Sequence, residues 1–247
     1  MKATWVQVPP VIDGASVRAF AQEFERGCSD QASRVILLAG SNGVFCQGMN
    51  LARLTREPVG VEPHPDFWPE LEAFAACLRQ IRYAVKPVVA VVEGAALAGG
   101  VGIAAACDLV VATADSTFGL SELLFGLVPA IVLPLLLERM PAQQARLWAM
   151  AADAHSASEA QAAGLVDVVV APLQLGHTVS RWVRRLSRTD QAAVAKLKSF
   201  SAVAVSLGFE AALARGIALT GETLAEAPAL NRIRSFLDSG TAPWEVA

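Results

Sequence analysis

Residues 94–108, GAALAGGVGIAAACD, constrain the fold more than any other stretch because nearly all of their side chains are small. The valine-rich segment before them, KPVVAVVEG at 86–94, predicts a buried strand. A helix that begins near Gly99 directly after this strand leaves its first backbone N–H groups without partners inside the helix. Two interpretations follow: small residues allow close helix packing, and glycine allows a ligand to approach the free N–H groups.

Strand and helix patterns alternate along the first two thirds of the chain, which is typical of an α/β fold with a mostly parallel sheet. A further helix, capped by Ser156 or Ser158, is predicted to end at Gly164, and the pattern beyond residue 172 is helical. We therefore predict a core at 1–172 and a C-terminal helical region at 173–247. Buried strands are predicted at 34–40, 86–94 and 108–113, and helices at 16–28 and 67–85.

The composition argues against several classes of function. The 247 residues carry a net charge of −3, and no Lys/Arg cluster is long enough to follow a phosphate backbone, so no nucleic-acid partner is expected. The N-terminal segment lacks the apolar run of a signal peptide, and two prolines interrupt the long apolar run at 125–137. We therefore expect a cytoplasmic protein without a membrane span. The four cysteines lack CxxC spacing, which predicts buried free thiols and no metal site.

A second strand-to-helix turn follows the predicted strand at 34–40. It lies in SNGVFCQGMNLARL at 41–54 and contains Gly48, Met49 and Asn50 just before a helical pattern. If the two turns face each other, their free N–H groups form an oxyanion hole, which stabilises a carbonyl oxygen that gains negative charge. Neither turn matches a Walker loop or a dinucleotide-binding motif, so no nucleotide cofactor is expected.

Three segments together resemble the signature blocks of the crotonase (enoyl-CoA hydratase/isomerase) superfamily. They are RVILLAGSNGVFCQGMNLARL, KPVVAVVEGAALAGGVGIAAACDLVVATADSTFGLSELLFGLVPA and SASEAQAAGLVDVVV. The resemblance implies a spiral of ββα repeats, a helical C-terminal region that forms a homo-trimer or hexamer, and thioester substrates on phosphopantetheine or CoA with no other cofactor. It also implies that the N–H groups of Met49 and Gly99 form the oxyanion hole, with Gly48 and Gly100 beside them in contact with substrate.

The same resemblance implies one catalytic carboxylate where family hydratases have two. The motif FGLSE supplies Glu122, whereas Gly102 stands where the other glutamate is expected, three residues after Gly99. A glutamate in so apolar a run should have a raised pKa, because desolvation disfavours its charged form, and a raised pKa suits proton transfer near neutral pH. One such carboxylate can take the α-proton of a thioester and return it to a departing β-hydroxyl group.

Residues 98–134 are similar to a narrower group, the dehydratases of polyketide β-branching cassettes. This implies conversion of 3-hydroxy-3-methylglutaryl to 3-methylglutaconyl on an acyl carrier protein, which would be the partner. Glu122 favours this dehydratase over the crotonase-like decarboxylase of the same cassettes. Arg53 beside the Met49 loop is a candidate substrate contact, and His64 is a candidate for assisting the leaving hydroxyl group. Because the substrate has a distal carboxylate, a cation is expected nearby; the candidates are Arg53, Arg56, Lys86, Arg139, Lys196 and Lys198.

Two alternatives stay open. The first is an enoyl-CoA hydratase or isomerase that acts on free acyl-CoA esters. Gly102 counts against a two-glutamate hydratase, but an isomerase needs only one base. The second is a non-catalytic relative that keeps the fold for binding, against which Glu122 and both predicted amide positions count.

Overall fold

Nine strands and the helices around them are seen in a computed structural model, which describes residues 3–54 and 67–242 except the side chains of residues 53 and 54. The strands are β1 (Ala3–Gln7), β2 (Val35–Ala39), β3 (Val44–Cys46), β4 (Val88–Val92), β5 (Ala95–Leu97), β6 (Leu109–Thr113), β7 (Thr117–Gly119), β8 (Ala154–Ser156) and β9 (Val168–Val170). The α-helices are α1 (Gly14–Ser29), α2 (Leu51–Leu54), α3 (Phe67–Arg82), α4 (Gly99–Ala106), α5 (Leu133–Arg139), α6 (Ala142–Ala151), α7 (Ala157–Ala163), α8 (Leu175–Leu186), α9 (Gln191–Ala204), α10 (Phe209–Leu224) and α11 (Ala227–Ser239). Short 3-10 helices lie at Glu122–Phe125 and Pro172–Gln174.

The larger sheet is parallel throughout, in the order β1-β2-β4-β6-β9. Successive side chains point to opposite faces, so Ile36 and Leu38 join the core that includes residues of α1, α3 and α4, whereas Leu37 joins the core on the α8 side. Burial on both faces explains why β2, β4 and β6 read as continuous Val, Ile, Leu and Ala runs in the sequence.

The smaller sheet has the order β3-β5-β7-β8, with β3, β5 and β7 parallel and β8 antiparallel to β7. Each of the pairs β2/β3, β4/β5 and β6/β7 gives its first strand to the larger sheet and its second to the smaller one. The predicted α/β class and the spiral of ββα repeats are confirmed. The sequence analysis missed all four strands of the smaller sheet, because each has only three residues, which are too few to show a period.

Helix α4 is buried along its whole length, between the sheets and α3 and α5. A helix that is apolar all round belongs in the interior of a protein. A Cβ atom on Gly102 would lie 2.4 Å from Cγ1 of Val132, so only glycine fits there unless Val132 moves. The close-packing interpretation of this small-residue stretch is therefore confirmed.

Side-chain caps fix the starts of three helices, α1, α7 and α9, the last through Asp190. The Asp13 carboxylate accepts hydrogen bonds from the N–H groups of Ala15 and Ser16 at the start of α1. Ser156 caps α7 in a capping box with Glu159, and Gly164 ends that helix in the left-handed conformation (φ 92°). Of the two predicted caps for α7, Ser156 is therefore the one used.

The C-terminal helices differ in how they meet the core. Helix α8 packs on the larger sheet through Leu175, Val179 and Val183, whereas α10 and α11 contain no buried residue. The division into a core at 1–172 and a helical region at 173–247 stays a prediction. Within the residues that the structure describes, no helix is both long enough and apolar enough to cross a bilayer.

Candidate active site

The three parallel strands of the smaller sheet each end at one predicted catalytic position. Met49 follows the end of β3 by three residues, Gly99 follows β5 by two, and Glu122 follows β7 by three. Pairing of β3 with β5 and of β5 with β7 keeps these ends together. The carboxyl ends of parallel strands are where ligands bind in open α/β sheets. One short sheet thus places all three groups around a single point.

The Met49 N–H is freed by the pairing of the neighbouring backbone. Ile12 donates to the Gly48 carbonyl (2.7 Å) and accepts from the Asn50 N–H (2.9 Å). These two bonds lie on one side of the segment, so the Met49 N–H points to the other side. The Gly99 N–H is the first of α4 and has no acceptor inside the helix. Among the described residues, neither N–H donates a backbone hydrogen bond.

The two turns are in direct contact. Gly48 has a φ of +84°, and a Cβ atom there would lie 2.7 Å from Cβ of Ala98 and 3.2 Å from the Gly99 nitrogen. Ala98 itself has φ 49° and ψ −115°, a conformation that L-residues rarely adopt and that costs about 1–3 kcal/mol. Its N–H donates to the Gly119 carbonyl (2.8 Å), which fixes this strained turn against β7. The contact sets the spacing of the two free amides.

Glu122 begins the 3-10 helix after β7, and its carbonyl accepts a hydrogen bond from Leu127. Its carboxylate oxygen Oε2 is buried and has no hydrogen-bond partner among the residues that the structure describes. Desolvation raises the pKa of the Glu122 carboxyl, and hydrogen bonds with the backbone of Glu122 and Ser121 partly offset this rise. A carboxyl with a raised pKa is suited to exchange protons with a carbon acid near neutral pH.

A cavity of about 330 Å³ joins these groups, because Met49, Gly99 and Glu122 all line it. Its size is that of a small-molecule site. Most of its wall is apolar, from α3 and from the segment 127–132, and the polar side chains of Gln47 and Ser121 are the exceptions besides Glu122. Among the described lining residues, Glu122 is the only one with an acidic or basic side chain.

The remaining predicted contacts lie elsewhere. Gly48 and Gly100 do not line the cavity: Gly48 packs on Ala98, and a Cβ atom on Gly100 would lie 2.3 Å from the Cys46 carbonyl oxygen. Both glycines therefore allow the two turns to pack closely, and their expected contact with substrate stays a prediction. Arg53 lies in α2, but its side chain is outside the described structure, and His64 lies outside the described residues.

Four of the predicted cations form hydrogen bonds or ion pairs with groups that do not line the cavity. Lys86 donates to the carbonyls of Gly27 and Asp30, and Lys198 pairs with Asp108 (2.6 Å). Arg139 bonds to three carbonyls at the opposite end of α4, and Lys196 pairs with Glu226. None of the four lines the cavity, so their proposed contact with a distal carboxylate is wrong. Arg56 lies outside the described residues, so Arg53 and Arg56 stay predictions.

The cysteines supply no nucleophile at the site. Cys46, on β3 beside the Met49 turn, is buried, and burial raises the pKa of its thiol to about 11. A thiol with this pKa is protonated at neutral pH. All four cysteines are free as predicted, but Cys28 is only half-buried, because it lies near the end of α1.

The sequence analysis missed Val132, which lines the cavity and fills the space beside Gly102. The two residues are 30 positions apart, and no local pattern signals such a contact. Val132 thus occupies the space that a carboxylate at position 102 would need, and it presents hydrocarbon to the cavity. Of the other residues near the FGLSE motif, Ser121 lines the cavity and Asp115 is exposed on the surface.

Comparison with known proteins gives consistent results. Residues 12–246 match the model of the family described as enoyl-CoA hydratase/isomerase. The chain is 30% identical over 229 residues to the bacillaene synthase dehydratase PksH of Bacillus subtilis (strain 168), which covers 88% of this chain and 82% of that protein. It is 28% identical over 205 residues to the 2,3-dehydroadipyl-CoA hydratase of Escherichia coli (strain K12), covering 80% and 76%.

Solved structures share the fold over nearly the whole chain. The Pseudomonas aeruginosa AtuE structure superposes with a TM-score of 0.87 at 25% identity, covering 98% of this chain and 96% of that one. An enoyl-CoA hydratase of Mycobacterium smegmatis gives a TM-score of 0.86 at 24% identity, covering 99% and 95%. With the family match over 12–246, these results show that the chain belongs to the enoyl-CoA hydratase/isomerase family, the crotonase superfamily.

Proposed function

We propose that this chain removes water from a 3-hydroxy-3-methylglutaryl thioester on an acyl carrier protein and forms the 3-methylglutaconyl thioester. The observation that carries the proposal is the carboxylate of Glu122, the one acidic group among the described residues that line an apolar cavity together with Met49 and Gly99. The relatives are hydratases and dehydratases, which are hydro-lyases, and the class of reaction follows from them.

The reaction begins with the thioester carbonyl oxygen accepting hydrogen bonds from the N–H groups of Met49 and Gly99. The Glu122 carboxylate removes the α-proton, and the two amides stabilise the enolate oxygen, where the negative charge collects. The Cα=Cβ bond then forms as the Cβ–O bond breaks. The proton held by Glu122 joins the departing hydroxyl group, so that water leaves and the carboxylate is restored.

The choice of a one-carboxylate dehydratase over a two-carboxylate hydratase is supported by Val132. A two-carboxylate hydratase needs a second acid near the β-carbon to activate water, and the position expected for it, Gly102, is covered by the Val132 side chain. The bacillaene synthase dehydratase among the relatives supports water loss as the reaction, and its place in a synthase supports our choice of a carrier-bound substrate. A cytoplasmic location fits this role and stays a prediction.

The test is mass spectrometry of 3-hydroxy-3-methylglutaryl-acyl carrier protein before and after incubation with the protein. We expect the acyl group to lose the mass of one water, with a higher kcat/KM than for the corresponding CoA ester. Glu122→Gln is the matched control and should lower turnover by about 10²–10⁴-fold, the usual contribution of a general acid–base group. Rapid hydration of crotonyl-CoA without water loss from the carrier-bound substrate would favour the CoA hydratase instead.

A further inference from the structure

Beyond Gly99, the wall of the cavity beside α4 is formed by Val132 and not by the helix itself. Val132 is only 3% exposed and lines the cavity, whereas Gly102 does not. A Cβ atom on Gly102 would lie 2.4 Å from Cγ1 and 3.0 Å from Cβ of Val132. The valine side chain therefore lies directly on the bare backbone of α4, between the helix and any ligand.

The position of this wall along the helix corresponds to the β-carbon of a bound thioester. Gly102 follows Gly99 by three residues, so it lies on nearly the same face of α4, about one turn or 5 Å further along. A thioester whose carbonyl oxygen meets the Gly99 N–H has its β-carbon two bonds of about 1.5 Å each from the carbonyl carbon. Because the cavity is lined by both Gly99 and Val132, an acyl chain in it brings the β-carbon near the valine.

The chemistry of the wall suits a hydrocarbon substituent there. Val132 and its neighbours Ala130 and Ile131 line this part of the cavity, and Glu122 is the one described lining residue with a charged form. We infer that Val132 is a specificity-determining residue that receives the methyl group on the β-carbon, so the enzyme prefers tertiary 3-hydroxyacyl thioesters to secondary ones. This inference rests on the proposed function.

The physical reason for this preference is that a substrate without the methyl group loses a contact with Val132. A secondary alcohol presents hydrogen where the tertiary alcohol presents a methyl group, which leaves an empty space against Val132. One methyl or methylene group in an apolar pocket changes kcat/KM by about 10–200-fold. The same methyl group, in contact with Val132, keeps the β-hydroxyl group off the valine side chain.

The test compares two substrates on the same acyl carrier protein, 3-hydroxy-3-methylglutaryl and 3-hydroxyglutaryl, by their kcat/KM for water loss. Wild-type protein should prefer the methylated substrate by about tenfold or more. Val132→Ala should bring this preference to within about threefold of unity, because the valine contact is lost. Val132→Ile should lower kcat/KM for the methylated substrate more than for the other, because its extra carbon fills the methyl position.

Val85→Ala is the matched control, since it removes the same two methyl groups outside the cavity. Val85 is 47% exposed and does not line the cavity, so its variant should keep the wild-type preference. Melting temperatures of all variants show that each is folded. A preference near unity in wild-type protein, or one that Val132→Ala and Val132→Ile leave unchanged, would overturn the inference while water loss that depends on Glu122 keeps the proposed function. No water loss from either substrate would overturn both.

Discussion

The Glu122 carboxyl, which the proposed reaction uses, also affects the stability of the folded protein. Burial raises the pKa of this carboxyl above its ordinary value of 4.5, so the folded protein favours the protonated form more than the unfolded chain does. Stability from this group is therefore fully present below the unfolded pKa and is lost as the pH rises through the folded pKa. Catalysis needs the ionised form, which is the less stable one in the fold.

The Glu122→Gln variant tests this linkage. We expect its melting temperature to exceed that of the wild-type protein at neutral pH, because the amide avoids the desolvation of a charged carboxylate. We expect the difference to shrink in acidic buffer, as the wild-type carboxyl becomes protonated. In the wild-type protein, kcat/KM should fall with decreasing pH along a limb that lies above 4.5. Differential scanning calorimetry and pH–rate profiles measure these effects. A difference in melting temperature that grows on acidification would contradict the assignment.

Gly48 offers a second test at the level of a single residue. Its φ of +84° and the 2.7 Å approach of a Cβ atom to Ala98 predict that Gly48→Ala pushes the two turns apart. We expect kcat/KM to fall by about 10²–10³-fold, the loss typical of one missing oxyanion-hole donor. Gly43→Ala is the matched control, because Gly43 has a φ of +72° with no atom within 4 Å of the added carbon. Equal losses in the two variants would refute the spacing argument.

At the scale of elements, α4 is held at both ends. Its N-terminus carries the Gly99 amide, and at its C-terminus Arg139 from α5 donates to the carbonyls of Ala105 (3.0 Å) and Cys107. The same guanidinium donates to the Leu165 carbonyl and pairs with Asp167 at 3.2 Å. Cationic side chains at a helix C-terminus donate hydrogen bonds to its free carbonyls and interact favourably with the negative end of its dipole. Arg139 thus connects α4, α5 and the segment before β9.

We expect Arg139→Met to lower the free energy of unfolding by about 3 kcal/mol, because it leaves several carbonyls and a carboxylate without their partner. Lys196→Met is the control: it breaks a pair with Glu226 that is more exposed to solvent and should cost less than about 1 kcal/mol. Equilibrium unfolding in urea gives both values. If the Arg139 variant were no less stable than the Lys196 variant, α4 would not depend on this cap.

The elements that the sequence predicts well are those whose own residues carry the signal. The strands β2, β4 and β6 are apolar runs, and α7 has both a capping serine and a terminal glycine, so each was found within a few residues. The three-residue strands β5 and β7 carry no such signal, although they place Gly99 and Glu122. Val132 was missed for a related reason: its role depends on a contact with Gly102 that exists only after folding.

At the scale of the whole molecule, the C-terminal helices expose many large apolar side chains. Phe209, Ile217 and Leu237 on α10 and α11 are each at least 67% exposed. Apolar patches of this kind mark interaction sites. We propose that a second and third copy of the chain cover them, as the resemblance to the crotonase superfamily implies, so that the protein is a trimer or a pair of trimers.

Light scattering coupled to size-exclusion chromatography tests this assembly. We expect the wild-type chain to elute as a trimer or hexamer and Ile217→Glu to elute as smaller species, because a charge buried without a partner is costly. Gln31→Glu introduces the same charge on an exposed polar loop after α1 and should not change the mass. A wild-type monomer would contradict the proposed assembly and leave the cavity assignment untouched.

The central claim is that two backbone amides and one carboxylate form and stabilise a thioester enolate. Its most direct test is hydrogen exchange in D₂O with 3-methylglutaryl-acyl carrier protein, which lacks the leaving hydroxyl group and cannot proceed to water loss. We predict that wild-type protein exchanges an α-proton for deuterium and that Glu122→Gln and Gly48→Ala do so far more slowly. An α-carbon that stays unlabelled with wild-type protein, or labelling that is as fast with Glu122→Gln, would contradict the account.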